Sequence, residues 1–230
     1  MSNAKIAVSG NDLKNNDQVS AYISCEGGDF LDDDVDHLDE AYLEGVRSVQ
    51  LVHYAPNTLG DLQTWKVVHG GLTVFGKEVV TRMNKLGMVI DVAHASARTV
   101  KDVADLTDAP IILSHSILKE NDDRPIEARA INKGHALLVS QTGGVIGMWP
   151  SGFSNSLDEF VEATFKMVDV VGIDHVGLGT DMDGNFKPVI SNYGDFITWK
   201  EALSEKGMNK EEIGKISGGN MQRVLDSILK

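Results

Sequence analysis

The sequence predicts an α/β fold built on a parallel sheet. Two observations carry this: six short aliphatic runs alternate with stretches of helical period, and residues suited to chemistry recur at the ends of most of those runs. The runs are residues 19–25, 48–52, 88–92, 110–113, 144–148 and 175–179. Most are rich in Val, Ile and Leu without strict alternation, the pattern of strands covered on both faces. Between them, residues 35–43, 72–86, 97–106, 132–141 and 157–171 place apolar side chains three and four apart, as helices packed on a sheet do. A further helix is expected to start at Asn209, with Glu212 three residues later completing a capping box. No repeat period, low-complexity tract or Pro-rich linker divides the 230 residues, so one domain over 1–230 is expected.

Strand–helix alternation with right-handed crossovers leaves two architectures, a doubly wound sheet or a (β/α) barrel. Barrels carry their chemistry at the C-terminal ends of strands. Glu26, His53, His94, His115 and Asp181 fall at or just beyond the ends of five of the six runs. A dinucleotide-binding sheet would want Gly-x-Gly-x-x-Gly after its first strand, and Cys25-Glu26-Gly27-Gly28 lacks that spacing.

Composition narrows the partners. With 42% hydrophobic and 24% charged residues the chain belongs with globular proteins rather than disordered ones. A net charge of −13 argues against nucleic acid or an anionic membrane surface. The single cysteine, Cys25, excludes an internal disulfide and a multi-cysteine zinc site. No apolar run approaches the ~18–20 residues of a membrane span, and the first residues lack a signal-peptide core, which leaves the cytoplasm as the default expectation, with a periplasmic or membrane-anchored location still open.

His94 and His115 end consecutive strand runs one βα unit apart. Imidazoles at the ends of adjacent parallel strands can converge on one ion, and imidazole with carboxylate suits zinc or a similar metal. Glu26 would add a bridging carboxylate. A single histidine at such a place is ordinarily a satisfied interior residue; the set points to metal. Asp181, in Gly179-Thr180-Asp181-Met182-Asp183-Gly184, has the composition of a turn. It is equally placed to ligate metal and to take the proton of a metal-bound water, whose pKa on zinc is near ~7. His53 is open to three roles: ligand, electrophile that polarises a carbonyl, or core residue beside Tyr54. His37, His69 and His135 fall on helical or loop segments and are expected in solvent; His175 precedes its strand and is expected to be structural.

The ordered motifs also carry a resemblance. Glu26-Gly27-Gly28, His53 with Asn57-Thr58, Gly71-Leu72-Thr73-x-Phe75-Gly76, Met83-Asn84-Lys85-Leu86-Gly87-Met88, Ile90-Asp91-x-x-His94-x-Ser96, Ser114-His115-Ser116, Ile173-Asp174-His175-Val176-Gly177, Asp181-x-Asp183-Gly184 and Lys215-Ile216-x-Gly218-Gly219-Asn220 together resemble the membrane (renal) dipeptidase family of the amidohydrolase superfamily. The resemblance spans essentially the whole chain. It implies a (β/α)8 TIM-barrel-like metal-dependent hydrolase fold and a binuclear zinc dipeptidase that cleaves dipeptides through a zinc-bound hydroxide. Glu26 matches the carboxylate that bridges both metals, with His94 and His115 as further ligands of one. Asp181 matches the aspartate serving the metal–water centre and its proton transfers. His53 matches the histidine that polarises the scissile carbonyl and steadies the oxyanion. Arg129, in Ala128-Arg129-Ala130, falls where the family grips the substrate carboxylate. The family usually has Asn after that arginine, and Arg124 competes for the role.

One family feature is missing. The family's N-terminal strand ends in His-x-Asp, which binds the other zinc. Gly10-Asn11-Asp12-Leu13 lacks the histidine, and residues 8–17 match instead the short helix leading into the glutamate strand. Six runs against the eight strands of the fold predict that the first two βα units are absent, leaving open sheet edges at the Glu26 and Asp181 strands. A second copy of the chain or the missing fragment is then the expected partner, besides a dipeptide. Two other functions remain alongside dipeptide hydrolysis: an amidohydrolase acting on another amide, lactam or ester, and a catalytically impaired fragment that binds metal or a partner.

Overall fold

A computed structural model describes residues 4–14, 18–120, 125–182, 184 and 186–229. The strands are β1 (Lys5–Ile6), β2 (Ser20–Ala21), β3 (Ile23–Glu26), β4 (Val46–Gln50), β5 (Val89–Asp91), β6 (Ile112–Ser116), β7 (Val145–Met148) and β8 (Val176–Leu178). The helices are α1 (Gly10–Leu13), α2 (Asp36–Leu43), α3 (Val74–Leu86), α4 (Ala97–Leu106), α5 (Lys133–Gln141), α6 (Leu157–Val171), α7 (Asp195–Glu205), α8 (Lys210–Gly214) and α9 (Asn220–Ile228). Single 3-10 turns stand at Asp29–Leu31, Pro125–Arg129 and Ile173–His175. Hydrogen bonding links β3-β4-β5-β6-β7-β8 in sequence order, and β1 pairs separately with β2. Each pair whose register is defined is parallel, as strand–helix alternation demands.

The chain forms two compact units, residues 1–112 with 222–230, and residues 113–221. In the first unit, β4 and β5 are buried along their whole length, so their Val and Ile face protein on both sides. β3 differs: its residues are mostly exposed, because β4 is its only sheet neighbour among the described residues. The run 19–25 expected as one strand is two. Ser20–Ala21 pairs with β1, and the chain resumes after Tyr22 as β3, with a register shift between Ile23 and Ser24. α1 is a single turn in which the Asp12 carboxylate accepts the backbone N–H of Ser9 at 3.0 Å. The rest of the helical segment expected there, residues 15–17, lies outside the described residues.

α3 shows why its sequence is a helix. Thr73 caps it by accepting the Gly76 N–H at 2.9 Å, Gly76, Val79, Val80 and Met83 form one buried stripe, and Gly87 at φ 72 ends it. Gly76 is required by proximity: a Cβ there would stand 2.0 Å from the Leu59 carbonyl oxygen. α4 starts from Ser96, whose Oγ accepts the Thr99 N–H, so the helix is capped two residues after His94.

In the second unit, α6 is capped by Ser156 and buries Phe160, Val161, Thr164 and Met167. β7 is wholly buried, and Gly147 within it is held to a hydrogen atom because a Cβ would lie 1.9 Å from the Ser114 carbonyl oxygen. The capping box at Asn209 forms as expected, the Glu212 carboxylate accepting the Asn209 N–H at 2.9 Å. α7 carried no distinctive sequence signal, whereas the motif Lys215-Ile216-x-Gly218-Gly219-Asn220 forms a π-helical turn at Lys215–Gly219.

His135 departs from expectation. Rather than facing solvent it is 3% exposed, because it shares the inward stripe of α5 with Ala136 and Val139. Burial lowers its pKa from 6.5 to about 4, so the folded protein keeps the imidazole neutral where the unfolded chain protonates it. The unfolded state then binds more protons between those values, and stability falls as pH drops through that window. His135→Leu is expected to flatten the acid limb of the stability–pH curve by up to about 3 kcal/mol, measured by urea unfolding at successive pH values; parallel curves for the two proteins would contradict this. Gly76→Ala is expected to destabilise by about 3 kcal/mol, seen as a lower urea midpoint at unchanged slope, since the methyl group meets backbone and cannot be accommodated by a rotamer change.

Candidate metal centre

Three side chains expected at strand ends meet in the first unit. Parallel pairing continues past β3: Gly27 N–H donates to Gln50 O at 3.1 Å and Gly28 N–H to Leu51 O at 3.2 Å. Beyond β4 and β5 the ladder also continues, with Leu51 N–H donating to Asp91 O and Val92 N–H to Ile112 O. Glu26, His53 and His94 therefore leave their strands at neighbouring places. Glu26 Oε1 lies 3.2 Å from His53 Nε2 and 3.7 Å from His94 Nε2, and one donor atom from each of the three residues falls within 4.8 Å of the others.

The set fits a metal ion. One carboxylate oxygen and two imidazole nitrogens are hard-to-borderline donors of the type that hold zinc and similar divalent ions. The His94 side chain is 7% exposed and that of His53 19%, whereas Glu26 is 43% exposed, so the centre is buried on its histidine side and open on its carboxylate side. Cys25 precedes Glu26 on β3 and so projects from the opposite face of the strand; burial pushes its thiol pKa up.

Backbone strain falls on one member of this set and on one candidate of the second unit. His94 has φ 64 and Asp181 φ 45, left-handed values that side-chain-bearing residues seldom adopt and that cluster where structure serves a site. Tyr54, which had no assigned role, stacks on His53 with ring centroids 3.8 Å apart and is 66% exposed. Its position directly after His53 was the sequence signal available. It forms an aromatic wall over that imidazole rather than the core neighbour that one reading of His53 supposed.

The remaining candidates lie in the second unit. His115 sits inside β6 rather than at its end, because that strand runs to Ser116; it is 8% exposed, and Trp149 meets its ring edge-on at 5.2 Å. Its Nδ1 is 3.0 Å from Ser114 Oγ. Asp181 follows β8 by three residues, and its carbonyl accepts the Gly184 N–H at 3.0 Å. Arg129 ends the 3-10 turn Pro125–Arg129 and its carbonyl accepts the Ser116 hydroxyl at 3.1 Å, which ties that turn to the His115 strand. Arg124 and Asp183 lie outside the described residues. His175 is structural as expected, with Nδ1 2.8 Å from Gly144 O.

A metal-type donor set at the ends of parallel strands defines the class: an α/β protein with a candidate metal centre. Known proteins sharpen it. The membrane dipeptidase family (peptidase family M19) matches residues 1–230, and the chain belongs to that family. An uncharacterised dipeptidase of Schizosaccharomyces pombe is 29% identical over 92% of this chain and 54% of its own length. Dipeptidase tcpJ of Claviceps purpurea is 29% identical over 80% of this chain and 45% of its own. The chain thus spans about half the length of the curated relatives it matches. Among solved structures, the probable dipeptidase PvdM of Pseudomonas aeruginosa superposes with a TM-score of 0.86 at 24% identity, covering 99% of this chain and 74% of that one. A metallo peptidase of Rhodobacter sphaeroides, liganded with a phosphinate mimic of the dipeptide L-Ala-D-Ala, superposes with a TM-score of 0.88 at 21% identity, covering 98% and 69%. These likenesses establish the α/β, TIM-barrel-like fold expected from the sequence.

Glu26→Gln is expected to weaken divalent metal binding by about 10-fold to 100-fold, since it removes the charge on which both imidazoles converge; chelator competition measures it. Unchanged affinity would remove Glu26 from the centre.

Proposed function

We propose that the chain is a zinc-dependent dipeptidase that hydrolyses the peptide bond of dipeptides. The single observation that carries this is the convergence of Glu26, His53 and His94 within 4.8 Å in a chain of the membrane dipeptidase family. Two relatives named dipeptidases and a neighbour liganded with a dipeptide phosphinate mimic support the substrate class. A phosphinate resembles the tetrahedral species formed when water adds to an amide carbonyl, so that ligand suits a hydrolytic site.

Glu26 and His94 hold the metal in this reading, and His115 and Asp181 enter the ligand set through their positions in the sequence. Zinc, when bound, supplies Lewis acidity and brings the pKa of its water to near ~7. Asp181 accepts the proton lost by the attacking water and returns it to the leaving amine as the C–N bond breaks. His53 donates from Nε2 to the scissile carbonyl oxygen and stabilises the charge that develops there, while Tyr54 stacked on its ring limits the imidazole's rotation. Arg129 grips the free carboxylate of the substrate with its planar fork, which selects short peptides by their C-terminus.

Release of free amino acids from a dipeptide panel, with zinc added, tests the proposal: turnover is expected, and none from a folded, zinc-loaded chain would leave a metal-binding protein without this activity. The role of His53 separates from metal binding. His53→Ala is expected to lower kcat by about 10^2-fold while zinc affinity holds; loss of zinc affinity would make His53 a ligand instead. For Arg129→Ala the expectation is a raised KM with kcat less affected. An unchanged KM would point to a lactam or ester substrate lacking the carboxylate.

A further inference from the structure

The segment joining β4 to α3 is folded around one buried carboxylate. Asp61 is 3% exposed, and its two oxygens accept four backbone N–H groups: Oδ1 from Val68 at 2.8 Å and His69 at 2.9 Å, Oδ2 from Gly70 at 2.7 Å and Gly71 at 2.9 Å. The charge of Asp61 is thus spent on closing its own loop, and its main chain bonds the segment that follows His94. Ser96 N–H donates to Asp61 O at 2.8 Å, Gln63 N–H donates to His94 O at 2.7 Å, and Leu62 bridges Ala95 in antiparallel sense. The Thr99 hydroxyl accepts Asp61 N–H and donates to Asp61 O, which fixes Asp61 to the first turn of α4.

These bonds clamp the carbonyl of His94 and the two residues that follow it, and so hold a residue whose φ of 64 the chain would otherwise relax. The same loop reaches His53 from its other end. Asn57 Nδ2 donates to Leu51 O at 2.9 Å, and His69, whose backbone is held by Asp61, places Nε2 3.0 Å from Asn57 O. One carboxylate therefore braces the backbone directly after His94 and, through His69 and Asn57, the strand extension at Leu51 that leads to His53.

We propose that Asp61 is a positioning residue of the metal centre: by closing residues 61–71 it holds His94 in its left-handed conformation and aims Nε2 at the Glu26 carboxylate. The inference rests on the reading of Glu26, His53 and His94 as a metal centre, and its test separates the two. Co2+ serves as the probe, with affinity read by chelator competition and ligand geometry by the visible absorption bands of the bound ion. Asp61→Asn keeps the shape but replaces one double acceptor with an amide NH2. It is expected to weaken Co2+ binding by about 10-fold and to shift the bands. Gly70→Ala keeps the protein folded if Asp61→Asn does not: its Cβ has no atom within 4 Å, and only the φ of 78 is strained. A weaker, same-direction effect is expected from it. Asp102→Asn is the control, since Asp102 tethers the same loop through Leu72 N–H at 3.0 Å but bonds neither flank of His94, and its Co2+ affinity and spectrum are expected to match wild type.

If wild type binds Co2+ and the Asp61→Asn and Gly70→Ala proteins match it in affinity and spectrum, the positioning role is overturned while the centre stands. If Asp102→Asn weakens binding as much as Asp61→Asn, loop rigidity in general is responsible and the assignment to Asp61 fails. A wild type that binds no Co2+ overturns the reading of the centre, and this inference with it.

Discussion

The parallel ladder runs on past the ends of its strands, and the placement of the centre depends on that continuation. Gly27 and Gly28 bond to Gln50 and Leu51, Leu51 to Asp91, and Val92 to Ile112, so three successive chain exits stay side by side after the regular pleat has stopped. Strand spacing of about 4.7–4.9 Å then sets the separation of the first side chains to leave the sheet. Glu26 Oε1 at 3.2 Å and 3.7 Å from two imidazole nitrogens is a consequence of that geometry plus short side-chain reach. Gly27 at φ 97 and Gly28, whose Cβ would stand 2.3 Å from a Leu59 methyl, permit the ladder to continue where a larger residue would push β3 away.

What the ladder brings close, the loops must hold. A carboxylate and two imidazoles gathered without an ion have little attraction beyond hydrogen bonds, and His94 is held in a conformation that costs an L-residue roughly 1–2 kcal/mol. The compensation is local: a capped α4 immediately after it, a loop closed on Asp61, and backbone bonds on both flanks. Donors preorganised in this way spare a bound metal or substrate the cost of ordering them. The close approach of Gly76 to the Leu59 carbonyl belongs to the same arrangement, since α3 presses on the loop from its far side.

Much of this was legible in the sequence, and the exceptions have physical reasons. The buried strands β4, β5 and β7 announced themselves as aliphatic runs because both of their faces meet protein. The break at Tyr22 could not be seen, since pairing partners and not composition divide β2 from β3. Glu26, His53 and His94 were visible as strand-end residues, yet their convergence is a property of register, which periodicity does not encode. His135 was misjudged because Lys133 and Gly134 make its surroundings look polar; the inward stripe with Ala136 and Val139 decides its fate. Asp61 carried no sequence signal. Its four partners come from an irregular segment, and nothing in a sequence distinguishes an acid that accepts backbone N–H groups from one that faces water.

The central claim is that Glu26 is the point on which a metal and both imidazoles converge. An anomalous difference map, collected at the zinc edge from crystals of the zinc-loaded chain, tests it directly. A peak is expected about 2.0–2.2 Å from a Glu26 carboxylate oxygen and at similar range from His94 Nε2. A zinc-loaded crystal whose peak lies away from both residues would contradict it.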